Sequence, residues 1–286
     1  MKILLLGSSG LLGKNLYLSL SKNFTVSHNG LIKRKKDLKK INNLKFLLNF
    51  KPDLIINCSG ETNIEKCEKN KKNCYDKNVR FLKELFILKD KKKLNFQFIH
   101  FSTDQVYNNK DPFKNNEKSK VKILNHYAQT KFWSEKIVTK NGGMVLRTNF
   151  FGKSKSNKDS FTDWIYHSFT NQKKFFLFDD VFFSPLRILS ICQYINLIIK
   201  KDVKPGIFNL GSKKGMSKYK FSKEFAKNTK IFSNNFVVSK SKTFFKVKRP
   251  SYMIMNCNKF EKSYKIKLPR LIDEIKKESK MYLKNA

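Results

Sequence analysis

The sequence predicts an α/β fold, a doubly wound parallel sheet of Rossmann type with a smaller C-terminal domain. Three observations carry this. Short runs are apolar throughout rather than alternating, as in strands buried on both faces. Those runs alternate with longer amphipathic stretches of helical period. A glycine-rich turn joins the first run to the first helix. In order, "KILLL" (2–6) reads as a strand, "LLGKNLYLSLSK" (11–22) as a helix and "FTVS" (24–27) as the second strand. "LKFLLNFK" (44–51) reads as a helix, "DLIINCS" (53–59) as a strand and "CYDKNVRFLKELFILK" (74–89) as one long helix. "FQFIHFST" (96–103) is a strand, "NHYAQTKFWSEKIVT" (125–139) a helix and "GMVLRT" (143–148) a strand.

After Gly152 the pattern changes. Helix 161–172 and strand 175–181 precede a strongly apolar helix at 188–200 and a strand at 206–211. The tail is charged and weakly periodic up to a final helix near 271–285. The reading is a first domain over 1–150, to which 188–211 returns, and a smaller one formed by 151–187 and 212–286.

With 61 basic against 22 acidic residues, the net charge of +39 would suit nucleic acid or an anionic surface. The lysines are spread along the whole chain, however, and only six of the basic residues are arginines. A reader of base edges clusters its charge and uses arginine, so no specific nucleic-acid partner is expected. The field would instead steer anionic small molecules. The five cysteines show no C-x-x-C pair and no metal spacing, so free thiols and no metal are expected. No window of some 20 apolar residues occurs, and the first apolar run is too short for a signal peptide. A soluble cytoplasmic protein with no membrane partner is the expectation.

"LLLGSSGLLGKNL" places Gly7, Gly10 and Gly13 between the first strand and the first helix. This is a variant of the dinucleotide fingerprint. A residue without Cβ allows the tight turn, and bare backbone N–H groups with the helix N-terminus receive a pyrophosphate. Ser9, Leu11 and Leu12 complete the segment expected to hold the cofactor. Strand two ends in Ser27-His28-Asn29, followed by Lys33, Arg34, Lys35 and Lys36. Basic residues there suit the 2′-phosphate of NADPH over NADH, with Asp37 and Leu38 near the adenine.

Two Y-x-x-x-K pairs occur, Tyr127/Lys131 and Tyr219/Lys223. In so lysine-rich a chain the spacing alone proves nothing. Tyr127 has company: strand 96–103 ends in Ser102-Thr103-Asp104, at the carboxyl end where open α/β sheets bind ligands. Positions four apart share a helix face, so Tyr127 and Lys131 point together. Reducing a ketone requires a hydride, which a nicotinamide supplies, and a proton. A nearby ammonium lowers the phenol pKa of Tyr127 toward usefulness, Lys131 can also hold the ribose, and Thr103 can orient the carbonyl. Tyr219 has no such partner hydroxyl, and its pairing is read as chance.

Together these motifs resemble the extended short-chain dehydrogenases/reductases, and more narrowly the dTDP-4-dehydrorhamnose reductase family, along nearly the whole chain. "PDLIINCSGETNIEKCE" (52–68) is similar to that family's third-strand segment, which implies that Gly60, Glu61 and Thr62 line the cofactor, with Asn78 matching a helix asparagine. "FSTDQVY", "NHYAQTKFWSE" and "LRTNFFG" resemble its strand-four, tyrosine-helix and strand-five motifs. The resemblance implies Thr103, Tyr127 and Lys131 as catalytic residues, and Thr103, Asp104, Asn149, Phe150 and Arg249 as substrate contacts. It implies NAD(P)H-dependent reduction of a nucleotide-activated 4-keto-6-deoxy sugar for polysaccharide synthesis; the sequence leaves a homodimer open. The first domain would bind NAD(P) and the second the substrate. Gln105, Ala128 and Glu61 depart from the family pattern and leave the sugar open. Alternatives are a sugar-nucleotide epimerase or dehydratase of the same superfamily, and a non-catalytic NADP-binding regulatory homologue.

Overall fold

The computed structural model describes residues 1–28, 41–154, 159–171 and 173–283, with side chains in 41–45 excepted. The chain forms two compact units. The first comprises Met1–Ser102, Asn125–Leu146 and Tyr194–Ile207; the second comprises Thr103–Leu124, Arg147–Gln193 and Phe208–Ala286.

The elements of the first half are β1 (Lys2–Leu6), α1 (Leu11–Leu20), β2 (Thr25–Ser27), α2 (Ile41–Phe50), β3 (Leu54–Asn57), α3 (Ile64–Lys69) and α4 (Lys71–Tyr75). A single π turn at Asp76–Arg80 leads into α5 (Phe81–Lys91), followed by β4 (Gln97–Thr103), α6 (His126–Lys140) and β5 (Met144–Thr148). The second half contains β6 (Phe150–Phe151), α7 (Phe161–Thr170), β7 (Phe175–Phe178), β8 (Phe182–Phe183), β9 (Leu186–Arg187), α8 (Ile188–Lys201) and β10 (Gly206–Leu210). Then come β11 (Met216–Ser217), α9 (Lys218–Thr229), β12 (Phe236–Ser239), α10 (Ser241–Phe244), β13 (Tyr252–Met253), α11 (Asn258–Tyr264) and α12 (Leu271–Leu283).

The main sheet has the order β10-β5-β4-β3-β1-β2. β1 pairs in parallel with β2 and β3, and β3 in parallel with β4. Its strands are apolar throughout because helices cover both faces: Ile3–Leu6 and Leu54–Ile56 are buried to a residue. One core under the sheet gathers Leu4, Ile55, Leu82, Phe86, Phe98 and Val145. The second unit has its own core, rich in phenylalanine, around Phe151, Phe169, Phe183, Phe221 and Phe225. Among the described residues no helix is long and apolar enough to cross a membrane.

Three sequence expectations need amendment. The helix expected over 74–89 runs on from α4 and contains a π turn at Asp76–Arg80, which carries the buried Asn78. The tail holds α9, α10 and α11 before its final helix, because lysines on their exposed faces blur the period. Cys67 and Cys74 form a disulfide, while Cys58, Cys192 and Cys257 belong to no disulfide. The turn between α3 and α4 brings these two Cα atoms to 5.0 Å, a juxtaposition that a spacing of seven does not announce.

Candidate active site

In the first unit the glycine turn is built as its sequence requires. Gly7 has φ +81, and a Cβ there would lie 2.7 Å from the backbone nitrogen of Ser59. A Cβ on Gly13 would collide with the Gly7 carbonyl, so helix and strand pack too closely for any side chain. Gly10 is the N-cap of α1 with no side-chain cap bond and no acidic residue in the first turn. The first amides of the helix therefore receive no bond from a capping side chain. Ser9 and Gly10 are exposed, Leu11 half-buried, and Leu12 buried with Gly13. Arg34, Asp37 and Leu38, with the lysines around them, lie outside the described residues.

The loop after β3 is held by one side chain. Asn78 Oδ1 accepts from Glu61 N at 2.8 Å, while its Nδ2 donates to Glu61 O at 3.1 Å and to Thr130 Oγ1 at 3.0 Å. Gly60 (φ +144) stands against it; a Cβ there would sit 2.6 Å from Asn78 Oδ1. Thr130 Oγ1 in turn donates to Tyr127 O at 2.9 Å. Asn78 therefore ties the Gly60-Glu61-Thr62 loop to the tyrosine helix. Lys77 Nζ pairs with Glu61 Oε2 at 2.9 Å, while Thr62 is exposed.

Asn125 caps α6 by accepting from Ala128 N at 2.9 Å, which starts the helix one residue before Tyr127. Tyr127 and Lys131 are both buried, at 8% and 6% exposure, one turn apart on the same face. Lys131 Nζ donates to Phe101 O at 2.5 Å and lies 3.3 Å from His100 Nε2. Burial is the main influence on its ammonium and outweighs the favourable charges of Glu135 and Cys58, bringing the pKa down to about 8. Ser102 Oγ donates to Glu135 Oε1 at 2.5 Å, so that carboxylate is itself anchored.

The second unit holds the other predicted residues. Thr103 ends β4, and its Oγ1 accepts from Gln105 N at 3.2 Å and reaches Asp104 Oδ1 at 3.4 Å. Asn149 Nδ2 donates to Asp104 Oδ2 at 2.8 Å. Asp104 is 1% exposed. Its burial raises the pKa to about 6 despite Asn149 and the Lys218 ammonium. Phe150 is half-buried on β6, which pairs with β9. The guanidinium of Arg249 stacks 3.7 Å from the ring of Phe245. Lys218, at the start of α9, was invisible to motif reading: burial first, then Arg249, lowers its pKa to about 8, and Asp104 and Asp180 oppose that. Its Nζ sits 5.4 Å from the Phe161 ring. Tyr219 packs on Phe236 (6.2 Å between centroids), and Lys223 Nζ lies 5.1 Å from that ring. The second Y-x-x-x-K pair thus builds the unit's apolar packing. Among the described residues no group of three or more His, Cys, Asp or Glu could hold a metal ion.

The family described as RmlD substrate binding domain matches residues 1–283. The chain is similar to dTDP-4-dehydrorhamnose reductase of Bacillus anthracis, solved in complex with NADP, with 18% identity and TM-score 0.86 over 97% of this chain and 98% of that one. A reductase ortholog from Clostridium acetobutylicum gives 21% identity and TM-score 0.86 over 98% and 99%. Among curated proteins, the spore coat polysaccharide biosynthesis protein SpsK of Bacillus subtilis is 20% identical over 219 residues, 75% of this chain and 74% of that protein. At these identities the structural likeness establishes the fold.

Proposed function

The chain belongs to the RmlD substrate binding domain family, and from that premise we propose that it reduces the 4-keto group of a nucleotide-activated 6-deoxy sugar, with NADPH preferred over NADH. The observation that carries the reading is the burial of Tyr127 and Lys131 on one face of a capped helix, in the unit that also carries the glycine turn. On this reading the first unit holds the cofactor and the second the sugar nucleotide. Bound cofactor would supply the hydride at the nicotinamide.

The protein's own residues do the rest. The bare turn at Gly7, Gly10 and Gly13, with the first amides of α1, receives the pyrophosphate. Asn78 sets the Gly60–Thr62 loop that borders the cofactor. Tyr127 donates the proton that the reduced carbonyl oxygen needs. Lys131, held by Phe101 O, steadies the charge left on the phenol oxygen and offers its remaining donors to the ribose. Thr103 orients the carbonyl, and Asp104, Asn149, Phe150 and Arg249 contact the sugar nucleotide.

The test is stoichiometric NADPH consumption in the presence of a dTDP-linked 4-keto-6-deoxy sugar. An epimerase or dehydratase would return its cofactor within each turnover and show none. Tyr127→Phe should lower turnover by roughly 10²–10⁴-fold while sparing NADPH binding, and near-normal activity would remove Tyr127 from the acid role. Tyr219→Phe should leave turnover unchanged.

A further inference from the structure

His100 lies inside β4 at 1% exposure, and the roles set out above give it no task. Its protonation follows from its neighbours. Ser59 donates its backbone N–H and its hydroxyl to Asn57 Oδ1, at 3.0 and 2.6 Å. That orients the Asn57 amide, leaving Nδ2 against His100 Nδ1 at 3.1 Å. An amide nitrogen can only donate, so Nδ1 accepts and carries no proton. On the opposite edge, Ser134 Oγ gives its single proton to Lys131 O at 2.6 Å. Toward His100 Nε2, at 3.0 Å, Ser134 Oγ can then only accept. The ring is therefore neutral with its proton on Nε2. Burial, and then the Lys131 charge, hold it so, well below the ordinary histidine range.

Lys131 Nζ stands 3.3 Å from that same Nε2. An ammonium facing an N–H finds no acceptor there. We propose that His100 is a positioning residue for Lys131: a neutral imidazole, pinned between Asn57 and Ser134, that closes off one side of the ammonium and leaves Phe101 O as its anchor. Two of the three Nζ donors then remain for a ligand. The other charged or ionisable groups acting on Nζ are Glu135 on α6 and Cys58 after β3, both favouring the ammonium. The proposal rests on the reading of Lys131 as the residue that holds the cofactor ribose.

The test needs no turnover. NMR of the full chain, isotope-labelled at histidine, should show His100 as the Nε2–H tautomer, untitrated between about pH 5.5 and 8.5. An Nδ1–H tautomer, or protonation near the ordinary histidine pKa, would overturn the proposal. NADPH affinity measured against pH supplies a second readout. His100→Ala admits water, which can accept from the ammonium, so the loss of affinity on the basic side should move upward by roughly 0.5–1 pH unit. His100→Gln returns a donor to that place and should restore the wild-type limb. A limb unmoved in His100→Ala would also overturn it. Failure to reduce any keto sugar would sink the proposed reaction and leave both of these measurements to judge His100.

Discussion

Replacing Lys131 by methionine should make the protein more stable at neutral pH while removing its activity. Methionine keeps an unbranched chain of similar length but no charge. In the folded state burial lowers the Lys131 pKa from 10.5 to about 8, a penalty on the ammonium of about 3 kcal/mol. Losing the hydrogen bond to Phe101 O returns about 1–1.5 kcal/mol of that. The net gain at pH 7 should be about 1–2 kcal/mol. Between about pH 8 and 10.5 the unfolded chain binds more protons at this site than the folded one, so wild-type stability rises with pH across that window. Below about 8 the penalty is fully present; above 10.5 it is gone. The advantage of Lys131→Met should therefore shrink steadily from about pH 8 upward. Unfolding midpoints of the two proteins, compared at several pH values in one buffer series, read this directly. A variant less stable at pH 7, or an advantage that does not change with pH, would refute the desolvated ammonium.

Gly7→Ala should destabilise the fold by about 2–4 kcal/mol, combining the strain of positive φ with a Cβ pressed on the Ser59 backbone; denaturant titration measures it, and NADPH binding should fall as well. Asp104, with its pKa raised from 3.8 to about 6, contributes stability present below about 4 and lost as pH rises through about 6. Asp104→Asn should thus gain in unfolding midpoint relative to wild type as pH rises from about 4 to 6 and keep that gain above it, and a difference that does not change with pH would count against the buried carboxylate. Alkylation under denaturing conditions, read by mass spectrometry, should label three cysteines before reduction and five after, following the Cys67–Cys74 bridge.

What could be read from the sequence was local. The turn at Gly7, Gly10 and Gly13 needs its residues within one strand-to-helix junction, and Tyr127 and Lys131 lie one helical turn apart, so spacing reports both. His100 meets Asn57 on one side and Lys131 on the other only because β3, β4 and α6 are neighbours in the fold, and no sequence period encodes such a meeting. Lys218 was hidden among lysines, most of which carry no site. The π turn that presents Asn78 depends on one extra residue in a helix whose apolar pattern otherwise continues. Cys67 and Cys74 were misjudged because a thiol's fate rests on the distance between backbones.

The most direct test of the central claim follows the hydride. NADPH carrying deuterium at the transferable C4 position of its nicotinamide would be incubated with the protein and a dTDP-linked 4-keto-6-deoxy sugar, and the product examined by mass spectrometry and NMR. One deuterium at sugar C4 for each NADPH consumed is the expected result. Sugar converted without deuterium, or with no NADPH lost, would contradict the assignment of this chain as a keto-sugar reductase.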